Sequence, residues 1–366
     1  MYYHFYAGSY AEKGSPGIYR CTYNSEDKSL EARPEIFSVE NPSYLAESSD
    51  GRFLYAISET ENQRGTLYAY RICEDGRLVY LNEASCIGMQ LCHVAVDSGN
   101  HLVSVAGYQS GTIEVFWFQD NGFIGDKVFE DVWKHDSGVC AHAHCTAFHP
   151  EMPILLACDL SGWIYGYEVS GKGTISRKFE FALNGYDPRH VLFSKHDRTL
   201  CHIICEASNT LLTLRLSEDG AEIIRAVGCC PEDENSFLAA GGIKSNSPGN
   251  MLVVSERSLD VSAASNKIVT MQVVDDIPEL YDISDISGRF PRDLKVLENN
   301  MIAAACQLSD RIILYRWIDG QMKQLAECRV PKVSCLLSIV NGKGPGFLRG
   351  PCGIKNPAKF RPCLIC

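Results

Sequence analysis

The chain has 366 residues, 45% of them apolar, and a formal net charge of −11. It is long enough to bury a sizeable core and too acidic for a general binder of nucleic acid or anionic membrane, which would present a basic face. No apolar run approaches the roughly 18 residues that span a bilayer. An acidic chain can still bind an anionic metabolite by concentrating Arg or Lys locally.

The chain opens on HFYAGSY and GIYRCTY, which read as the second and third strands of a unit lacking its first. Six fuller copies follow. They start at Asn41 (NPSYLAESSDGRFLYAISE), Gln90 (QLCHVAVDSGNHLVSVAGY), Ala141 (AHAHCTAFHPEMPILLACDL), Tyr186 (YDPRHVLFSKHDRTLCHIICE), Asn246 (NSPGNMLVVSERSLDVSAASN) and Arg289 (RFPRDLKVLENNMIAAACQ). Each reads as a short apolar strand, a turn and a second apolar strand. Third strands come next: GTLYAYRI from Gly65, GTIEVFWF from Gly111, GWIYGYEV from Gly162, NTLLTLRL from Asn209, NKIVTMQV from Asn266 and DRIILYRW from Asp310. Their alternation and β-branched and aromatic content predict sheet, and the Gly, Asn or Asp at their openings predicts the turn. A polar stretch such as CEDGRL from Cys73 then leads to a fourth, outer strand.

VPKVSCLLSI from Val330 reads as a first strand without partners. Joined to the two opening segments it completes a seventh unit. A recurrence of about 43 to 60 residues, with several short strands per unit, is the mark of a radial β array. The expected fold is therefore all-β: one seven-bladed β-propeller of four-stranded antiparallel blades over residues 1–340, closed by pairing of its ends, which removes open sheet edges.

Residues 341–366 change character. They are Gly- and Pro-rich, hold five Lys or Arg and no acid, and end in PCLIC. A poorly ordered tail is expected there. Cys352, Cys363 and Cys366 make a weak metal set by spacing, and CLIC fits a prenylation box only superficially. Seventeen cysteines is a high, odd number, yet Cys145, Cys158, Cys201, Cys205 and Cys306 stand inside apolar strands as small hydrophobes. MYYHFYAGSY has no basic stretch leading into an apolar run, so a reduced, cytoplasmic thiol set is expected.

In a propeller blade the start of the first strand and the end of the second meet at one rim. First-strand starts carry His93, His142, His144, Arg189, His190, Arg292 and Asp293. Second-strand ends carry Glu59, Tyr108, Asp159, Glu206 and Gln307. Arg189 and Glu206 are one strand–turn–strand excursion apart and should return side by side. Two Arg, one or more His and a Glu would then converge on one polar pocket, a set suited to holding an anion while moving a proton. His142 and His144 alternate on one strand, but no third metal ligand stands at telling spacing. Cys145 and Cys205 flank site residues and by alternation turn into the core.

FYAGSY with GIYRCTY, NPSYLA followed by SSDGRFLYAISE, HAH of Ala141–His144, DPRH of Asp187–His190 and FPRD of Phe290–Asp293 resemble, in order and spacing, the lactonase family of seven-bladed propellers. That family is related to carboxymuconate-lactonizing enzymes. The resemblance covers residues 1–340 and implies active-site roles for His144, Glu206, Arg189 and Arg292. Cys205 stands where the family usually has Asn, and Gly107-Tyr108 where it has Asn-Tyr.

The expected activity is hydrolysis of a sugar-acid lactone, 6-phosphogluconolactone by resemblance, without cofactor or metal. Glu206 or His144 would act as base and the Arg residues as anion and oxyanion binders. His142, His93, His190 and Tyr108 are expected to contact substrate. Two alternatives stand beside it. One is cycloisomerisation of a carboxymuconate-like dicarboxylate by the same Glu–His pair. The other is a non-catalytic docking propeller, disfavoured because the repeats lack the WD dipeptide of the common scaffolds.

Overall fold

The computed structural model describes residues 1–135, 138–170, 173–231, 237–260, 266–318 and 321–338. The tail and its three cysteines lie outside the described residues. Within them the chain is strand and turn throughout, with two short 3₁₀ turns at Glu298–Asn300 and Gln307–Ser309.

The strands form seven antiparallel sheets of four, each a blade. The first blade pairs Val333–Ser338, from the end of the chain, against Tyr2–Ser9, with Ile18–Asn24 and Ser29–Ile36 outside it. Phe5 lies opposite Ser338 and Gly8 opposite Cys335, so the two ends close one sheet as the sequence predicts. The inner strands of blades two to seven are Leu45–Glu47, Leu91–Asp97, Ala143–Phe148, Pro188–Phe193, Leu238–Ser245 and Pro291–Val296. Each contacts the inner strands on both sides, the last against the first, so the ring is complete.

One expectation is corrected. The sixth blade does not begin at Asn246; its inner strand is Leu238–Ser245, and Asn246 starts the turn into the second strand, Met251–Ser258. The segment LAAGGIKS is glycine-rich and lacks a polar opening residue, so the repeat pattern passes over it. The correction moves Arg257 from a loop to a second-strand end.

Gly111, Gly162, Asn209 and Asp310 open third strands with φ of 58°, 103°, 46° and 55°. Gly, Asn and Asp tolerate this left-handed backbone best, which is why these turns select them. Inner and middle strands are buried on both faces because blades stack face to face around the axis. The fourth strands are largely exposed, with isolated buried residues such as Ile175 and Phe179 in Thr174–Ala182.

The core is a series of layers between blades. Tyr55, Leu67, Val103, Phe116 and Phe118 fill the layer between blades two and three. Each such side chain contributes about 1.5–3 kcal/mol on burial. Polar tips are tied across blades: Tyr6 Oη donates to the Gly76 carbonyl at 2.7 Å and Tyr55 Oη to that of Gly122 at 3.1 Å. Cys145, Cys158, Cys201 and Cys205 pack together in the layer between blades four and five. Every cysteine among the described residues is a free thiol. Among these residues no helix is long and apolar enough to cross a membrane.

Candidate active site

Strict alternation would turn every second residue of an inner strand toward the axis. The structure departs from that rule at one rim. In six of the seven blades the register slips near the start of the inner strand. Leu91 and His93 face the consecutive partners Gly107 and Ala106, leaving Cys92 as the inserted residue. By the same pairing His144 is inserted between Ala143 and Cys145, Arg189 between Pro188 and His190, and Arg292 between Pro291 and Asp293. A bulge residue escapes the pleat and re-aims its side chain. All four of these line one pocket of about 350 Å³, together with Tyr10, Glu59, Tyr108, Glu206 and Arg257.

Glu206 sits where two arginines meet. Its Oε2 accepts from Arg189 Nε at 2.8 Å and its Oε1 lies 2.6 Å from Arg257 Nη2. Arg189 also donates through Nη1 to the Gly241 carbonyl at 2.8 Å, which anchors the guanidinium to the sixth blade. Arg292 is held differently. It lies over the Tyr10 ring, 5.3 Å from its centroid, and its nearest acid is Glu59 at 3.9 Å. Its donors therefore face the pocket uncommitted, while those of Arg189 are largely used. Asp293, the next residue, turns away and pairs with Lys244 at 3.0 Å.

Burial alone would raise the Glu206 carboxyl, but Arg257, Arg189 and Arg292 outweigh it and hold its pKa below the ordinary value. Burial, reinforced by Arg189 and Arg292, keeps the His144 imidazole well below its ordinary pKa and so neutral. Burial and Arg189 lower Arg257 to about 9, against the opposing pull of Glu206. Three guanidinium groups thus share a partly closed mouth with Glu206, Glu59 and the exposed Glu61. Arg189 and Arg257 are both turned onto Glu206, which leaves Arg292 without an acid in hydrogen-bond reach and favours an anion there.

Of the residues expected from sequence, His144, Arg189, Glu206, Arg292 and Tyr108 line the pocket. His190, one residue past its bulge, lines a space of about 10 Å³ deeper along the axis, with Tyr44, Asp293 and Ser334. His142 stacks on Tyr108 with ring centroids 4.6 Å apart. His93 stands behind the wall, 3.6 Å from Cys145 Sγ, its ring tilted against that of Tyr44 with centroids 4.2 Å apart. Asp159 is occupied by the His142 N–H and by His135.

Sequence reasoning missed Arg257 and Tyr10 and gave Glu59 no role. Signals existed: a charged pair closing the apolar strand MLVVSERS, and Tyr10 at the second-strand end of HFYAGSY. Among the described residues no cluster of three or more His, Cys, Asp or Glu is placed to hold a metal ion.

The family described as "Lactonase, 7-bladed beta-propeller" matches residues 4–338. The chain is 30% identical over 299 residues to a 6-phosphogluconolactonase of Bacillus subtilis, covering 79% of this chain and 83% of that protein. A solved structure from Lactobacillus plantarum is similar at 26% identity and TM-score 0.81, covering 92% of this chain and 99% of its own. A periplasmic gluconolactonase of Pseudomonas aeruginosa shares the fold at 20% identity and TM-score 0.80, covering 93% of this chain and 100% of its own.

Proposed function

The chain belongs to the lactonase family of seven-bladed β-propellers, and we propose that its arginine-lined mouth hydrolyses a sugar-acid lactone, 6-phospho-D-glucono-1,5-lactone to 6-phosphogluconate. The observation that carries this reading is the position of Arg292: Arg189 and Arg257 both turn onto Glu206, while Arg292 lines the same mouth with its nearest acid at 3.9 Å, so its donors can meet a ligand.

Arg257 and Arg292 hold the phosphate, Arg292 in two-pronged fashion through its planar fork. The lactone carbonyl then lies toward Arg189, His144 and Glu206. Water attacks the carbonyl carbon. Its proton passes to Glu206, ionised at neutral pH, or to His144, neutral at the same pH. The developing oxyanion is met by a guanidinium fixed before the reaction starts, so little reorganisation opposes it. Collapse of the tetrahedral species breaks the ring C–O bond, and the proton returns to the alkoxide. General base assistance of this kind supplies roughly 10²–10⁴-fold. No covalent intermediate is required.

We further place the enzyme in the cytoplasm, with a domain boundary near residue 340. The free thiols among the described residues, most of them buried, support the first reading. The second rests on the family match, which ends at residue 338, and on the Gly- and Pro-rich composition that follows.

Base uptake in a pH-stat tests the activity. Purified protein should accelerate opening of 6-phosphogluconolactone well above its spontaneous rate, and equality with the blank would overturn the reading. A co-crystal with 6-phosphogluconate should place its anionic groups on Arg292 and Arg257.

A further inference from the structure

Of the three carboxylates lining the mouth Glu61 is exposed, and the other two, Glu206 and Glu59, are not equivalent. Glu206 has both oxygens engaged by guanidinium groups at 2.6 and 2.8 Å. Glu59, at the end of the second strand of blade two, has one oxygen engaged. Its Oε2 accepts from Tyr10 Oη at 2.8 Å, while Oε1 stands 3.9 Å from Arg292 Nη2, beyond hydrogen-bond reach. The residue is 8% exposed and its backbone is fixed twice against Asn41, N–H to carbonyl and carbonyl to Nδ2, each at 3.0 Å. Glu59 is therefore a rigid acceptor with a free oxygen facing the pocket, beside Arg292, whose nearest acid lies beyond hydrogen-bond reach.

We propose that Glu59 is a specificity residue: its free oxygen accepts hydroxyl hydrogens of a polyhydroxylated ligand whose anionic group rests on Arg292. This deepens the lactonase reading and rests on it for the substrate class. An ionised carboxylate can only accept hydrogen bonds. A ligand with hydroxyl groups next to its anion satisfies it. A ligand offering a second carboxylate repels it, and an alkyl chain leaves it desolvated and unpaired. Sites built to hydrogen-bond a hydroxyl reject analogues that lack it far more strongly than apolar pockets reject a size change. Tyr10 serves twice, fixing Oε2 through its hydroxyl and supporting Arg292 on its ring face. On this basis the mouth discriminates against the carboxymuconate-like dicarboxylates that the arginines alone would accept.

The test is calorimetric binding of two monophosphates, glucitol 6-phosphate and n-hexyl phosphate, with adipate as a dicarboxylate. Wild type should bind glucitol 6-phosphate roughly 10- to 100-fold tighter than hexyl phosphate, the range for hydrogen bonds to a charged group. Glu59→Gln should lose most of that preference while binding hexyl phosphate and adipate as well as before or better. Tyr10→Phe, which keeps the ring under Arg292, should lose part of it. Melting curves confirm that both variants are folded, and if Glu59→Gln is not, Tyr10→Phe decides. The proposal falls if wild type shows no preference or no binding, if the substitution weakens both phosphates equally, or if the preference survives it. A protein that keeps the Glu59-dependent preference yet opens no lactone would overturn the activity and leave the ligand class standing.

Discussion

Arg189 Nε and Glu206 Oε2 lie 2.8 Å apart across 17 residues of chain, because the inner strand and its hairpin partner in the fifth blade return to the same rim. A bulge at Arg189 aims the guanidinium along the rim, where Arg257 from the next blade meets the other carboxylate oxygen. The pair thereby becomes the joint between two blades, and Glu206 is a structural keystone as well as a catalytic candidate.

Replacing that keystone has two expected effects. Glu206→Gln keeps the shape but leaves Arg189 and Arg257 without their shared carboxylate, and kcat should drop about 10²–10⁴-fold. Glu206→Ala should also destabilise the fold by about 3 kcal/mol, the low end for breaking a buried pair, since Glu206 is partly exposed. Urea unfolding measures the second effect. An unchanged midpoint would remove the keystone role.

Arg292 should behave as a ligand-binding arginine and contribute little to folding. Its substitution by Ala should lower kcat/KM for an anionic lactone about 10- to 100-fold through lost charge-assisted hydrogen bonds, with little change in melting temperature. Arg292→Lys should recover only part, because an ammonium cannot reproduce the planar fork. Full recovery by Lys would show that charge alone matters.

His202 gives a pH-dependent stability term away from the mouth. It is buried with Nδ1 3.1 Å from Thr213 Oγ1, and burial lowers its pKa to about 4. The unfolded chain takes up a proton near 6.5 and the native chain does not. Stability is therefore complete above about pH 6.5 and declines as pH falls toward 4, by on the order of 3 kcal/mol from this residue. Melting temperature against pH should show the loss, and His202→Gln should flatten it. The depressed pKa values of His144 and Glu206 act in the same direction. Activity should accordingly show no acid limb near pH 6.5.

Gly241 carries no functional group, yet its substitution should disable the site. A Cβ there would stand 2.4 Å from Ser255 Oγ and 2.9 Å from the Arg292 carbonyl, and the Gly241 carbonyl accepts from Arg189. Gly241→Ala should reduce kcat at least tenfold, since displacements near 1 Å at a positioned group are costly. Wild-type turnover by the variant would mean that the bulge relaxes freely.

Closure of the ring should govern cooperativity. The single Ser334 hydroxyl hydrogen is shared between the Ser43 carbonyl at 2.9 Å and the Gly8 carbonyl at 3.2 Å, and the Leu336 N–H donates to Asp293 Oδ2, so the closing strand ties three blades. Truncation after Ser338 should preserve a single cooperative melt. Truncation after Pro331 strips the inner strand of the first blade and should abolish it, as calorimetry would register.

The sequence by itself determined the blade count, the joining of the chain ends and the pairing of Arg189 with Glu206. These follow from strand periodicity, turn residues and hairpin length, which are all local. It erred in the sixth blade because LAAGGIKS has no polar opening residue to mark a strand. Tertiary structure alone decided which of two adjacent residues faces the mouth, Arg189 over His190 and Arg292 over Asp293. A one-residue bulge reverses alternation without leaving a composition signal. It also decided the contacts between blades, such as Arg257 with Glu206 and Tyr10 with Glu59, because these depend on the radius of the closed ring and on no spacing along the chain.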